Sequence, residues 1–222
     1  MTNGQQDTFH TVAGPATGLF RDRGSRFLSF AYAMRDADQL SGHLEELRAL
    51  HPKARHACYA YRVGPDGSSF RANDDGEPSG TAGRPILGQI DHFGLTDVLV
   101  VVVRYFGGTL LGTAGLINAY RRAAADALAA AGKEEKVLQV VLQLNFPYTQ
   151  LPTVMHAVKR MDLPILAQSY YLDGMMKVAL RHARQQEQML ELKALMAGVP
   201  VSEALTLPFP DGLELKLLDT FY

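Results

Sequence analysis

GRPILGQIDHFGLTDVLVVVVRYFGGTLLGTAGLINAYRRAAADALAAAG, residues 83–132, is the stretch on which the fold turns. Pro85 suits a first helical turn, and Ile86, Leu87, Ile90 and Phe93 recur at helical spacing before Gly94 stops the run. The following DVLVVVVRY, residues 97–105, is rich in β-branched residues and has no polar alternation. A strand with that pattern has both faces covered, so it is expected at the centre of a sheet. Residues 107–115 are glycine-rich, and Leu116 to Ala131 then read as an alanine-rich helix ended by Gly132. Helix, buried strand and helix in this order predict an α/β layer packed around residues 98–103.

Upstream, short extended segments at 16–20 and 27–32 flank the exposed turn RDRGS. Leu40, Leu44, Leu47 and Leu50 mark a helix over 36–50, with Asp36 or Asp38 as its cap and Pro52 beyond its end. Residues 55–63 read as a strand, and GPDG at 64–67 turns the chain into a second strand near 68–72. NDDGEPSGTAG, residues 73–83, has no apolar period and is dense in turn formers, which predicts a loop.

Downstream, the charged KEEK at 133–136 reads as a linker. Seventeen of the 20 glycines precede it, so the composition changes there. The rest predicts a strand at 137–145, a helix at 149–161, a strand at 165–171, a turn at Asp173-Gly174, a strand at 175–181, a helix at 183–196 and a last strand near 213–218. That βαββαβ order is the one of a ferredoxin-like sandwich. The expected class is α+β with two domains, residues 1–132 and 137–222.

A chain of 222 residues, 47% hydrophobic and 20% charged, can bury a core without staples. Residues 1–132 carry 13 basic and 13 acidic side chains and residues 133–222 carry 9 and 10, which disfavours sequence-independent duplex binding. One cysteine, Cys58, excludes an internal disulfide and a multi-cysteine metal site and fits the cytoplasm. The longest notable aliphatic run, Val98 to Val103, is too short to cross a bilayer.

Four groups of residues offer chemistry. The first comprises the two glycine loops that run into helix starts: Gly80, Thr81 and Gly83 with Arg84, then Gly107, Gly108, Gly112 and Thr113 with Arg104. Free amides and the helix dipole there favour an anion, and the arginines supply a charged clamp. Glycines of this kind also serve tight turns and close helix–sheet packing. Gly107 and Gly112 are spaced as in a P-loop, but Thr113 follows directly and the phosphate-binding lysine is missing, which excludes a nucleotide-hydrolysing loop. The second group, Asp74, Asp75 and Glu77, has the carboxylates of an acid/base pair, although exposed acidic turns carry the same pattern. The third, His56 and Cys58, shares one strand face as a nucleophile and its base would; a buried Cys beside a satisfied His does the same. The fourth, Lys159, Arg160, Lys177, Arg181 and Arg184 with Tyr170 and Tyr171, could form a basic edge with stacking surfaces for single-stranded nucleic acid. No cofactor motif occurs, and the remaining histidines show no metal-ligand spacing.

The run of Gly83, Arg84, Pro85, Ile86, Leu87, Ile90, Leu95, Val101, Val102, Arg104, Tyr105, Phe106, Gly107, Gly108, Leu111 and Gly112 resembles the signature of the IMPACT/YigZ family. DDGEPSGTAG and ARHACYAY also resemble blocks of that family, and together they cover residues 15–130. The resemblance implies a first domain like the second domain of ribosomal protein S5 and domain IV of elongation factor G. It implies a ferredoxin-like second domain and a role in translation, as in the eukaryotic members. The expected partners are RNA, the ribosome or a ribosome-bound protein, met through the glycine loops and Arg104 without catalysis. The alternative is an enzyme on a small phosphorylated or carboxylated substrate, with Asp74, Asp75 or Glu77 as acid or base.

Overall fold

The computed structural model describes residues 7–222, which form two compact units: Phe9–Lys136, and Val137–Tyr222 together with Asp7 and Thr8. In chain order the first part contains β1 (Thr8–Val12), β2 (Ala16–Asp22), β3 (Ser25–Ala33), α1 (Leu40–Leu50), β4 (His56–Val63), β5 (Ser69–Asn73), α2 (Gly83–Phe93), β6 (Val98–Tyr105), α3 (Gly112–Ala131) and β7 (Lys133–Val137). The main sheet has the order β2-β3-β6-β4-β5, and every neighbouring pair is antiparallel. β6 is therefore central, as its unbroken aliphatic run predicts.

Val98 to Val103 are all buried, and alternate residues enter two different cores. Val98, Val100 and Val102 join Phe27, Ile86, Ile90 and Tyr120 in the core that α2 and α3 share with the sheet. Leu99, Val101 and Val103 join Leu47, Tyr59 and Tyr61 on the face that α1 covers. A strand so placed has no solvent side on which a polar residue would be favourable.

Local chemistry sets the helix ends. Asp36 accepts a hydrogen bond from the Asp38 amide at 3.0 Å, while the Gln39 side chain accepts from the Asp36 amide at 3.3 Å, a reciprocal cap that starts the turn leading into α1. Gly94 closes α2 in the left-handed region at φ 63°.

KEEK is not a linker. Residues 133–137 form β7, which pairs with β1 in a separate two-stranded ladder. Its side chains are exposed or half-buried, so main-chain hydrogen bonding rather than an apolar face makes it a strand, and side-chain pattern does not reveal it.

The second unit contains β8 (Gln139–Pro147), α4 (Leu151–Arg160), β9 (Ile165–Tyr170), β10 (Asp173–Arg181), α5 (Gln185–Ala197), the single turn α6 (Val201–Ala204) and β11 (Glu214–Phe221). Its sheet order, β11-β8-β10-β9, with antiparallel neighbours and α4 and α5 in the crossovers, is the ferredoxin-like sandwich. Val140, Leu142, Leu144 and Phe146 alternate along β8 into its core. Asp173 and Gly174 begin β10 and are not the turn, which falls at residues 171–172. Gly174 pairs opposite Phe146, and a Cβ there would lie 2.2 Å from that ring, so this glycine makes room for a core aromatic. Asp7 belongs to this unit: its carboxylate, pushed up by burial but pulled further down by Arg181 and the Ala183 amide, bonds Arg181 Nε at 2.8 Å.

Two glycines of α2 should respond oppositely to alanine. A Cβ on Gly83 would meet the Asn73 backbone at 2.5 Å, whereas one on the exposed Gly88 meets nothing within 4 Å. Chemical denaturation should show Gly83→Ala losing about 1–3 kcal/mol of stability and Gly88→Ala gaining about 0.5–1 kcal/mol.

Candidate functional site

The loop between β5 and α2 is organised by its own carboxylates. Asp74 Oδ2 accepts from the Gly80 amide at 2.8 Å, and Oδ1 accepts from the Ala82 and Gly83 amides at 2.9 and 2.8 Å. Burial pushes the Asp74 carboxyl up, but these three amides and the Arg84 charge together bring it below the ordinary aspartate value. The chain's own anion thus occupies the entrance of α2. Thr81 is buried and donates its hydroxyl to the Pro78 carbonyl at 2.6 Å. The expected anion receptor at Gly80, Thr81 and Gly83 is therefore closed. Arg84 remains exposed, in a shallow groove with Arg121.

The other two carboxylates are equally engaged. Asp75, with φ at 41°, accepts from the Ala57 amide at 2.7 Å through Oδ2 and from Arg48 at 3.2 Å through Oδ1. Glu77 Oε1 accepts from Arg104 Nη1 at 2.6 Å and from the Tyr120 hydroxyl at 2.8 Å. Glu77 and Arg104 side chains are 4% and 8% exposed, so this is a buried ion pair. The three carboxylates do not converge on a common point as acid and base would, and no metal-ligand cluster exists among the described residues.

Arg104 is consequently not a free clamp. Its guanidinium lies 5.4 Å from the Phe27 ring centre and 5.6 Å from that of Phe106, and its shielded Nε has no hydrogen-bond partner. Nor do His56 and Cys58 form a nucleophile and base. His56 Nδ1 is 2.7 Å from the Asp75 carbonyl, while Cys58 Sγ is 2.9 Å from the Asp74 carbonyl and 3.3 Å from Tyr120 Oη. Burial pushes the Cys58 thiol well above its ordinary value, and Glu77, Asp75 and Asp74 add to the rise. It stays a protonated core residue.

The second glycine loop divides into two parts. The Gly107 amide donates to Ser25 Oγ at 3.1 Å, and a Cβ on Gly107 would lie 1.9 Å from the Gly24 carbonyl carbon. This glycine lets two backbones touch. Gly108 and Gly112, with φ at 87° and 70°, have open space around them, and Thr113 is exposed beside them. No side chain caps the start of α3. Of the two entrances, this is the one whose first residues, Gly112, Thr113 and Ala114, are exposed.

Beside it lies a cleft of about 630 Å³ lined by Lys53, Arg55, His56, Arg104, Phe106 and Leu110, with Tyr105 in its wall. Lys53 and Arg55 are exposed, and neither is ion-paired among the described residues. Phe106 is 56% and Leu110 82% exposed. A smaller cleft of about 210 Å³ continues past Arg55 and His56 to Arg48 and His51. The cations that matter here, Lys53 and Arg55, stand in HPKARH just before β4, where they read as ordinary solvated charges at a strand entry. Only their position beside Phe106, 51 residues on from Arg55, sets them apart.

The basic edge expected in the second unit does not form. Lys159 and Arg160 end α4, whereas Lys177 alternates with the core-facing Met176 and Val178 on β10 and points away from the helices. Arg181 is held by Asp7 and Arg184 by Glu187. The Tyr170 hydroxyl bonds Gln168 and Met155, and Tyr171 projects at the hairpin tip.

Residues 23–128 match the model of the Impact N-terminal domain. The chain is 36% identical over 177 residues to the IMPACT family member YigZ of Escherichia coli, covering 79% of this chain and 87% of that protein. It is 36% identical over 107 residues to the Protein IMPACT homolog of Saccharomyces cerevisiae, covering 46% and 39%. A crystal structure of a hypothetical protein superimposes with a TM-score of 0.65 at 32% identity, covering 96% of this chain and 97% of the other. No helix among the described residues is long and apolar enough to cross a membrane.

Asp74→Ala removes the acceptor of three amides and should lower stability by about 2 kcal/mol. Because the folded carboxyl titrates below its unfolded value, its contribution is complete above the unfolded value of about 3.9 and is lost as pH falls through the folded one. Urea midpoints between pH 7 and pH 3 should show Asp74→Asn less stable at neutrality and with a shallower acid decline. Cys58 should resist a thiol reagent in the native protein and react at the rate of a free thiol once urea unfolds it.

Proposed function

We propose that this chain, which belongs to the IMPACT family, is a cytoplasmic binding protein of the translation machinery that contacts RNA, the ribosome or a ribosome-bound factor without catalysing a reaction. The family supplies the coarse half of this reading, since the eukaryotic members it resembles act in the regulation of translation. The observation that carries the finer half is the cleft: two unpaired cations, Lys53 and Arg55, beside a half-exposed aromatic ring and the uncapped start of α3. Cations and open amides attract phosphate oxygens, and an exposed ring accepts a base.

The acid/base alternative loses its support because Asp74, Asp75 and Glu77 are each consumed by structural hydrogen bonds. Gly108, Gly112 and Thr113 remain as the glycine-loop part of the contact, joined by Lys53 and Arg55. Arg104 lies against the Phe106 ring and is already paired with Glu77, so its part is to hold that ring in place.

Co-sedimentation with ribosomes tests this. The protein should pellet with ribosomes at low salt and less so at moderate salt, as phosphate contacts require. Lys53→Ala combined with Arg55→Ala should weaken pelleting by about tenfold while leaving the thermal midpoint within a few degrees. Absence of pelleting by the parent protein at both salt concentrations would overturn the proposal.

A further inference from the structure

We infer that the cleft is a reader of single-stranded RNA, in which Phe106 stacks one base, Lys53 and Arg55 hold the adjoining phosphates, and His56 accepts a hydrogen bond from the ribose 2′-hydroxyl. This inference rests on the functional reading above and narrows it to one ligand class.

Three features of the cleft lead there. The first is the ring. Phe106 has the Arg104 guanidinium 5.6 Å from its centre, yet more than half of the residue is exposed at the cleft wall. A cation held beside an aromatic ring keeps it in one orientation, and the exposed part of the ring can stack a planar guest. A base within a duplex is already stacked on both sides and cannot use it, whereas an unpaired base can.

The second is the charge. Lys53 and Arg55 are exposed at the same opening without a carboxylate partner among the described residues, and no acidic side chain is among the described residues that line the cleft. At about 630 Å³ the open cleft has room for a nucleotide unit.

The third feature separates RNA from DNA. His56 Nδ1 lies 2.7 Å from the Asp75 carbonyl oxygen, and a carbonyl can only accept. Nδ1 therefore carries a proton, and Nε2 can accept a hydrogen bond whenever the ring is uncharged. Asp75 cannot shift easily, because its carboxylate is tied to the Ala57 amide and to Arg48. His56 lines the cleft beside Lys53 and Arg55, so it can offer an acceptor among cationic donors, and phosphate oxygens offer that acceptor nothing. Of the donors a nucleic acid chain carries, base N–H groups occur in both DNA and RNA, whereas the ribose 2′-hydroxyl is one that DNA lacks.

Fluorescence anisotropy with short labelled oligouridine, its 2′-deoxy and 2′-O-methyl counterparts and a matching RNA duplex tests the inference. Single-stranded RNA should bind about five- to tenfold more tightly than either sugar variant, as one hydrogen bond to a fixed acceptor implies. The duplex should bind more weakly still. His56→Phe, which keeps a ring and removes the acceptor, should lower affinity for RNA more than for the deoxy strand and so erase the RNA preference, and Phe106→Ala should weaken RNA and deoxy strands alike by about tenfold. His56→Leu repeats the first variant, with circular dichroism of both confirming the fold. Equal binding of RNA and deoxy strands by the parent protein overturns the inference and leaves the wider functional reading standing. No oligonucleotide binding, with ribosome pelleting intact, overturns it in favour of a protein contact. Failure of both assays removes the functional reading as well.

Discussion

A half-buried carboxylate at the start of a helix governs the functional end of this protein. Asp74 fills the α2 entrance, taking three amides that would otherwise seek an external anion. The loop that follows cannot then move freely, because its two ends are joined through one side chain. From that constraint follow the placement of Asp75 against Ala57, the hold of the Asp75 carbonyl on His56, and the insertion of Glu77 into the core.

Glu77 extends the same logic inward. Its pairing with Arg104 and Tyr120 links the loop to the central strand and to α3. A buried ion pair gives little net stability because both charges lose their water, but removing either partner strands the other. The pair is therefore better understood as a device that fixes position. It fixes Arg104 beside Phe106 with its Nη1 engaged by Glu77, which leaves Lys53 and Arg55 as the cleft cations without an ion pair among the described residues.

The glycines divide along the same line between architecture and access. Gly83 and Gly107 are required because another backbone passes where their side chain would be, against Asn73 and Gly24 respectively. Gly108 and Gly112 face open space and have positive φ, so they shape a loop that stays clear of the α3 start. The two loops look alike in sequence, GTAG in both cases, yet one is closed by Asp74 and the other is open.

Much of the fold was legible because it follows from short-range pattern. The unbroken valines of residues 98–103 require burial on both sides, the leucines of α1 require one apolar face, and the element order of residues 137–222 leaves few ways to build a sheet. β7 escaped because its pairing with β1 is a backbone matter that alternating charges conceal. The candidate site was legible as a region and not as a set of roles. Sequence alone determined which amides, carboxylates and cations lie within that region. Only the tertiary structure decided that Asp74 turns back on the amides a few residues after it, that Arg104 is spent on Glu77, and that Lys53 and Arg55 stand beside Phe106. Which charge meets which is set by distance in space, and hydrogen bonding and Coulomb attraction fall off over ångströms that chain separation does not report.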